Sequence, residues 1–495
     1  MTNAPTTTAR NFTDLLREAA RRTPDAPAFH RRRWRSNTPE GVTHAGFVRT
    51  VDALSDRLID RGIKPGQACS VDVKSHWGAL AAAVAIASVG AAAAPPDDDE
   101  ADWALVLAAS TSSTRARRII ATPDWFQVPE AAPPPGSHAR WQDASSVCAI
   151  LRSSGTTGRP KRIAVTHDQM IARMARVMAA FPVPAEGRVA CPMGPSGGYG
   201  FRTMVCALAG GASIVGCAGI EGTLEAIDFW RVTHLVVSPL LLEELVRARG
   251  TPAGPMRTLE VVEVGGSRLP DALRIAASRA LCPNLVVSYG SSEAGVVAKG
   301  RADELAATPG AVGRLLDGID AGSVDENDAP LPAGQVGTLR IRGPGCVDAY
   351  LGAQAATQRA FRDGWFHPGD RGCVTAGRIL VIAGREREII NAGGQKIAPA
   401  AIEDALTGLP GVVEIAAFGA EDDLQVVKPW VAIVIGADFN ESAFREACRD
   451  RLGPLAPAGV LVLRALPRNQ NGKVVRGKLV ELVRKQARGG RPTLH

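Results

Sequence analysis

The sequence predicts an α/β fold with a large N-terminal domain of layered α/β subdomains plus a β subdomain, followed by a small C-terminal α+β domain. Its 495 residues exceed what one hydrophobic core usually organises, so two or three cores are expected. Short apolar runs alternate with helical patterns over the first 310 residues, and the remainder changes to shorter strand-like stretches rich in Gly and Asp. These observations indicate layered α/β subdomains followed by a β-rich region.

Buried strands are predicted where short apolar runs end abruptly in Gly, Ser or Pro. Such runs cover residues 147–151, 234–237, 259–264 and 285–287. A helix is predicted between the first two, because Thr166 and Gln169 have the spacing of a capping box and open a periodic apolar run. Ligands of such sheets collect at the carboxyl ends of strands, so the loops after these runs are the first candidates for a site.

The later residues predict two further units. A β subdomain is expected over about 310–384, and a separate α+β domain over 385–495. The first 384 residues are then the N-terminal domain. The strands and helices that support this division are predicted at 336–343, 377–382, 400–406, 412–418, 430–435 and 441–452.

Composition argues against several protein classes. The nine cysteines form no C-x-x-C pair and no zinc-type cluster, which favours a reducing compartment. The N-terminus lacks the basic-then-apolar layout of a secretion signal, so a cytoplasmic location is expected. The apolar segment Gly78–Ala94 is short and rich in Ala, which favours a buried helix over a membrane span.

The formal charge of +7 is modest for this length, and one dense basic run covers residues 31–35. A phosphate or an acidic partner could use this run, but the solvated edge of a strand is the favoured interpretation. No basic helix with interleaved aromatic residues accompanies it. We therefore expect no nucleic-acid partner.

The densest group of hydrogen-bond donors follows the apolar run at 147–151. Hydroxyls and glycine amides in a tight loop can approach phosphate oxygens closely, and a terminal lysine adds a positive charge. The spacing differs from the G-x-x-x-x-G-K-[ST] loop, because the two glycines are too close. A flexible surface loop is disfavoured, and a phosphate-binding loop is predicted from Ser153, Ser154, Gly155, Thr156, Thr157, Gly158 and Lys161.

The string from Ser154 to Lys161 resembles the loop that marks the adenylate-forming superfamily, which contains acyl- and aryl-CoA synthetases, adenylation domains of nonribosomal peptide synthetases, and firefly luciferase. The resemblance continues in order over nearly the whole chain, through segments 265–267, 288–293, 364–370, 384–385 and 467–476. It implies a mobile C-terminal domain, ATP and a carboxylic acid as reactants, and Mg²⁺ as a cofactor. The acyl-AMP that forms would then pass to a thiol.

The resemblance assigns nucleotide contacts to the middle of the chain. The glycine turn beside the adenine is matched by Gly265, Gly266 and Ser267. The motif Ser288-Tyr289-Gly290-Ser291-Ser292-Glu293 implies that Tyr289 stacks on adenine, Ser292 contacts the α-phosphate in place of the usual threonine, and Glu293 holds Mg²⁺. An aromatic ring suits a purine, and a carboxylate oxygen is a ligand that Mg²⁺ prefers.

Later segments complete the implied site. Asp370 would accept the ribose hydroxyls and Arg385 would be a second ribose contact, although Pro368 replaces the usual threonine nearby. The resemblance makes Lys473 the catalytic lysine, because a cation between the attacking carboxylate and the leaving pyrophosphate stabilises the transition state. Arg387 falls at the hinge position, where Asp or Lys is usual. The loop containing Gly393 and Gly394 would line the thiol tunnel.

The identity of the acid is only partly constrained. Members of the superfamily that activate α-amino acids use an aspartate to bind the ammonium group. The resemblance places that position at Gly198, and no carboxylate lies nearby in the sequence. An α-amino acid substrate is therefore disfavoured, because its ammonium group would be buried without a partner.

The same resemblance points Tyr199 and Arg202 towards the acyl pocket, where a buried arginine would suit a second acidic or polar group. The alternative, that Arg202 lies on a helix facing solvent or the interdomain cleft, is at least equally favoured. The candidate pocket residues are Gly198, Tyr199, Arg202, Ser238, Gly265 and Gly290.

Three functions remain open at this stage. Transfer of the acyl group to CoA is favoured, and a stand-alone enzyme that loads a carrier protein or an amine acceptor is the alternative. A nucleotide-binding protein without catalysis is disfavoured, because the lysines and carboxylates that the reaction needs are all present, namely Lys161, Glu293, Asp370 and Lys473 with Arg385.

Overall fold

A computed structural model describes most of the chain. The described residues are 11–32, 39–96, 98, 100–107, 116–130, 143–153, 161–250, 254–385, 388, 390–392, 395–421, 427–469 and 472–487. The predicted phosphate-loop residues Ser154, Gly155, Thr156, Thr157 and Gly158 lie outside them, as do Arg387, Gly393 and Gly394.

The helices of the described residues are α1 (Thr13–Arg22), α2 (His44–Asp60), α3 (His76–Ser88), α4 (His167–Ala180), α5 (Gly198–Ala209), α6 (Gly219–Phe229), α7 (Pro239–Arg249), α8 (Asp271–Ala280), α9 (Ala302–Leu305), α10 (Gln354–Ala360), α11 (Pro399–Leu406), α12 (Glu441–Leu452) and α13 (Arg476–Ala487).

The strands of the N-terminal half are β1 (Pro27–Arg32), β2 (Pro39–Thr43), β3 (Ala68–Asp72), β4 (Ala92–Ala94), β5 (Trp103–Leu107), β6 (Arg117–Ala121), β7 (Val147–Arg152), β8 (Arg162–Thr166), β9 (Arg188–Ala190), β10 (Ser213–Val215), β11 (His234–Val237), β12 (Val261–Gly265) and β13 (Leu285–Ser291).

The later strands are β14 (Gly295–Arg301), β15 (Ala311–Leu315), β16 (Asp320–Val324), β17 (Gly337–Arg342), β18 (Phe361–Arg362), β19 (Trp365–Phe366), β20 (Asp370–Val374), β21 (Ile379–Arg385), β22 (Ile390–Ala392), β23 (Gln395–Ile397), β24 (Val412–Glu421), β25 (Val427–Ile435) and β26 (Gly459–Leu463).

Two large sheets organise the described part of the N-terminal region. One sheet has the order β6-β5-β3-β4-β7-β8, and the other is 15-stranded and runs from β18 through β21, β15, β14, β13 and β12 to β2. One hydrophobic cluster contains residues of α2 to α5 together with residues of both sheets, so these elements share a core. The strands predicted for the β subdomain hydrogen-bond into the 15-stranded sheet, and β13 and β14 lie between them and the parallel strands.

Local sequence signals explain where the helices start and stop. The capping box predicted for α4 is present, with both the Thr166 and the Gln169 side chains bonded to backbone amides. The prediction of one buried helix over Gly78–Ala94 is wrong at its end, because α3 ends at Ser88 and the chain continues into strand β4. Gly90 has a φ of +80°, a conformation that ends a helix and favours glycine.

Arg31, in the basic run at residues 31–35, does not lie on a solvated strand edge as predicted. Strand β2 pairs with β1 on its outer side, so β2 forms the edge of the sheet. Arg31 on β1 is half-buried, donates a hydrogen bond to Glu40 at 2.8 Å, and stacks over Trp77. The prediction is therefore wrong for Arg31, and residues 33–35 lie outside the described part.

The C-terminal region has its own sheets and cores. Strands β24, β25 and β26 form one sheet and β22 pairs with β23. Helices α11 and α12 contribute to one apolar cluster against this sheet, and α13 contributes to another. The predicted α/β fold with a large N-terminal domain and a C-terminal α+β domain is confirmed. Across the described residues, none of the helices combines the length and apolarity that a membrane span requires.

Candidate active site

The first part of the site lies where β12 and β13 end side by side. Their register pairs Gly265 with Ser288, so the glycine turn and the segment with Tyr289 meet at the carboxyl edge of the sheet. The Tyr289 hydroxyl donates a hydrogen bond to Asp370 Oδ2 at 2.5 Å, and Arg385 Nε lies 3.1 Å from Asp370 Oδ1. Burial and then the Asp370 carboxylate raise the pKa of Tyr289 well above its usual value, so the hydroxyl stays protonated as a donor.

Asp370 is held by two neighbours and still has accepting capacity. It is buried, and strands β20 and β21 pair it with Arg385 in backbone register. An ionised carboxylate offers about four lone-pair positions, of which these two contacts use two. The remaining positions can accept hydrogen bonds from hydroxyl groups of a ligand; the ribose contact of Asp370 stays a prediction.

A second group of side chains surrounds Glu293. The Tyr350 hydroxyl donates to Glu293 Oε1 at 2.9 Å, and the Lys161 ammonium lies 4.6 Å from the centre of the Tyr350 ring. The backbone oxygen of Glu293 accepts hydrogen bonds from Arg173 Nη2 at 2.8 Å and from the Val347 amide at 2.9 Å. Glu293 is buried, its main chain is fixed by Arg173 and Val347, and its carboxylate accepts from Tyr350.

Tyr350 was missed by the motif analysis. The chain contains three tyrosines, Tyr199, Tyr289 and Tyr350, and each of them hydrogen-bonds a buried or half-buried carboxylate of the candidate site. The rarity of tyrosine in 495 residues is the signal that could have identified Tyr350.

The base of the predicted phosphate loop lies next to this group. The Ser153 amide donates to the Lys161 carbonyl oxygen at 2.9 Å, and the Lys161 amide donates to Ser153 Oγ at 3.0 Å. The Ser292 hydroxyl donates to the carbonyl oxygen of Arg152 at 2.9 Å, one residue before the loop. The two ends of the loop and Ser292 are therefore held together.

Lys473 approaches this site from the C-terminal region. Its amide donates to Asn469 Oδ1 at 3.0 Å, and Gly472 packs so tightly against Leu240 of α7 that a β-carbon would lie 2.6 Å from Leu240 Cδ2. Burial lowers the pKa of Lys473 and the nearby Arg385 lowers it further, while three carboxylates oppose this shift, those of Asp370, Glu388 and Glu293. Lys473 of the C-terminal region therefore lies within electrostatic range of Asp370 and Glu293, one residue from each group.

The structure brings together only part of the predicted acyl pocket. Tyr199 and Arg202 lie on α5, and a β-carbon on Gly265 would lie 2.7 Å from the Tyr199 hydroxyl. Arg202 is buried, so the alternative in which it faces solvent is wrong. Gly198 packs against Leu151 at the end of β7.

Ser238 and Gly290 have local structural roles. The Ser238 hydroxyl accepts a hydrogen bond from the Leu241 amide and caps α7. A β-carbon on Gly290 would lie 2.2 Å from the Gly295 carbonyl oxygen, so only glycine fits between β13 and β14.

Two charged residues that sequence reasoning missed accompany the pocket residues. Glu263 accepts hydrogen bonds from the Tyr199 hydroxyl at 2.8 Å and from Lys299 Nζ at 2.7 Å. Glu263 is the one charged residue of strand β12 (Val261–Gly265). Lys299 lies in the apolar part of strand β14 (Gly295–Arg301), whose other charged residue is the exposed Arg301 at its end. A charge inside an apolar strand is the signal that could have identified both residues.

The metal-binding capacity of the site depends on its substrate. Groups of three or more His, Cys, Asp or Glu side chains that could hold a metal are absent from the described residues. Mg²⁺ commonly binds to one or two carboxylates together with substrate phosphates. Glu293 fits that kind of binding.

These features define an AMP-forming enzyme of the acyl-CoA synthetase type. The chain belongs to the AMP-binding enzyme family: the family model matches residues 16–351, and the model of the AMP-binding enzyme C-terminal domain matches residues 401–473.

Similar proteins agree with this class. A feruloyl-CoA synthase from an Amycolatopsis species is 30% identical over 343 residues, which are 67% of this chain and 69% of the relative. A salicylyl-CoA synthase / salicylate adenylyltransferase from a Streptomyces species is 27% identical over 511 residues, covering 90% of each chain. The crystal structure of ATP-bound MatB from Rhodopseudomonas palustris matches with a TM-score of 0.84 at 22% identity, covering 96% of this chain and 99% of MatB, and supports the fold.

Proposed function

We propose that the protein uses ATP to convert a carboxylic acid other than an α-amino acid into its acyl-AMP, releases pyrophosphate, and transfers the acyl group to the thiol of CoA. The observation that carries this proposal is the convergence of Lys473 with the Asp370 and Glu293 groups, which come from separate elements. The relatives named as CoA synthases support CoA as the acceptor.

In the first half-reaction, a carboxylate oxygen of the acid attacks the α-phosphorus of ATP and pyrophosphate leaves. Tyr289 would stack on the adenine, and Asp370 and Arg385 would hold the ribose. Lys161 and Lys473 bring positive charge to a site where anion approaches anion, which stabilises the transition state more than the ground state. Mg²⁺, held by Glu293 and the phosphates, would neutralise further charge on the leaving group.

In the second half-reaction, the thiol loses its proton to solvent, its sulfur attacks the acyl carbonyl carbon, and AMP leaves with the electron pair of the broken bond between the carbonyl carbon and the phosphate oxygen. A thiol near its ordinary pKa attacks this activated carbonyl without a strong base. We propose that the C-terminal domain turns about Arg387 between the two steps, withdraws Lys473 and brings the loop of Gly393 and Gly394 to the site.

The surroundings of Tyr199 support the exclusion of α-amino acids. The Glu263 carboxylate is the one acidic group that contacts Tyr199 or Arg202 among the described residues, and it is already paired with Lys299. A substrate ammonium group would therefore be buried beside two cations without a free carboxylate, which is costly.

The first test is pyrophosphate release and AMP formation across fatty, aromatic, dicarboxylic and amino acids, with and without CoA. We expect turnover with a non-amino acid that yields an acyl-CoA when CoA is present. Pyrophosphate release without any acyl-CoA would point to a carrier protein or an amine as the acceptor. If no acid supports pyrophosphate release, the proposed function is wrong.

A further inference from the structure

A polar cluster lies on the α5 side of strands β12 and β14. Glu263 is at its centre and accepts hydrogen bonds from Tyr199 and Lys299. Arg202 Nη2 lies 3.9 Å from Glu263 Oε1, beyond hydrogen-bond distance, and its guanidinium lies 5.1 Å from the centre of the Tyr199 ring. We call these four residues the α5 cluster.

The charges of the α5 cluster do not balance. The Lys299 and Arg202 side chains are 3% and 6% exposed and carry two positive charges against one carboxylate. Burial raises the pKa of Glu263, but Lys299 and Arg202 outweigh it and lower this pKa to about 2, so Glu263 is ionised at neutral pH. One positive charge remains without a carboxylate in the cluster.

The excess charge coincides with an unused donor. Arg202 Nη2 is buried and has no hydrogen-bond partner in the described structure. Most buried polar groups are hydrogen-bonded, and an unpaired buried charge is costly. The Glu263 side chain is 14% exposed and Tyr199 is half-buried, so the cluster is not fully sealed from solvent.

The position of the cluster relates it to the reaction. Glu263 lies two residues before Gly265, about 7 Å along the strand from the sheet edge where nucleotide is expected. Lys299 pairs in register with Ser288, the residue before Tyr289. An acid whose carboxylate reaches the edge would therefore place its far end at the cluster.

We propose that Arg202 binds a second carboxylate at the far end of the substrate, which makes the substrate a dicarboxylic acid with a ring or several methylene groups between its carboxyl groups. A guanidinium matches a carboxylate with two parallel hydrogen bonds, and a buried bond of this kind is both strong and selective. The inference rests on the proposed function and specifies its substrate class.

The test compares each dicarboxylic acid with its own monomethyl ester in pyrophosphate exchange. The ester has nearly the same shape and lacks only the second charge. We expect the wild-type enzyme to prefer at least one diacid over its ester by about ten- to hundredfold in kcat/KM. Arg202→Met should bring that ratio close to one, and Arg202→Lys should leave an intermediate ratio, because it restores the charge without the paired donors.

Arg17→Met is the matched control. Arg17 on α1 is another buried arginine, and it forms an ion pair with Asp52 on α2. It should leave the diacid-to-ester ratio unchanged. The wild-type comparison needs no variant, so misfolding of Arg202→Met does not remove the test. If the enzyme supports pyrophosphate exchange with monocarboxylic acids but prefers no diacid over its ester, this inference is wrong and the proposed function stands. If no acid supports pyrophosphate exchange, the proposed function is wrong as well.

Discussion

Asp370 joins two side chains that stand far apart in sequence, Tyr289 and Arg385. Asp370→Asn keeps the shape but removes the charge that pairs with Arg385. Because hydrogen bonds to charged groups contribute about 1.5–3 kcal/mol, we expect KM for ATP to rise by about ten- to hundredfold in pyrophosphate exchange. Asp320→Asn, which breaks an exposed pair with Arg342, is the control and should leave KM unchanged.

Tyr350 gives a prediction about stability. Tyr350→Phe removes the hydroxyl that donates to the buried Glu293 carboxylate. An unsatisfied buried acceptor costs about 1–3 kcal/mol, so the free energy of unfolding in urea should fall by that amount. An unchanged unfolding midpoint and slope would show that the hydroxyl does not support Glu293.

At the scale of elements, α5 packs closely on the loop before it. A β-carbon on Gly200 would lie 1.8 Å from the Gly194 carbonyl oxygen, which no small adjustment relieves. Gly200→Ala should therefore displace α5 and lower the melting temperature by several degrees or more, measured by circular dichroism. Gly222→Ala in α6, where a β-carbon meets open space, should be neutral or slightly stabilising.

The buried His167 at the start of α4 accepts a hydrogen bond from the residue before α1, and it can accept this bond only while its imidazole is neutral. The Phe12 amide donates to His167 Nδ1 at 3.3 Å, and burial lowers the pKa of His167 to about 4, although Asp143 opposes this shift. The unfolded chain binds a proton below about pH 6.5 while the folded chain does not, so stability should fall as pH drops from 6.5 to 4. His167→Asn, whose Oδ1 can accept the same bond, should show a shallower decline in melting temperature over this range; an equally steep decline would assign it to other groups.

The whole molecule depends on a residue that the C-terminal region supplies. Lys473→Ala removes the cation that lies within electrostatic range of Asp370 and Glu293 while leaving both groups in place. We expect pyrophosphate exchange to fall by about a hundred- to a thousandfold. Thioester formation from supplied acyl-AMP and CoA should be nearly unaffected, and equal loss of both half-reactions would contradict the assigned role.

Sequence reasoning reached the fold class and the class of enzyme because the evidence for both is local. The segments around Lys161, Tyr289 and Lys473 were identified from contiguous sequence motifs, and the start of α4 was identified from a capping box. The same reasoning missed Tyr350, Glu263 and Lys299. These residues act through contacts between elements far apart in sequence, and only strand register and helix packing bring such contacts together.

The residues expected to bind the acid and those expected to bind ATP lie on different secondary-structure elements, which matters for evolution and for engineering. The 12-residue helix α5 carries Tyr199 and Arg202, whereas the residues expected to hold ATP lie on β13, β20 and β21. Gene duplicates could therefore diverge in the acid they accept while retaining the same energy source. A combinatorial library confined to the face of α5 that carries Tyr199 and Arg202, with Gly200 held constant, is a set of variants in which new specificities should arise.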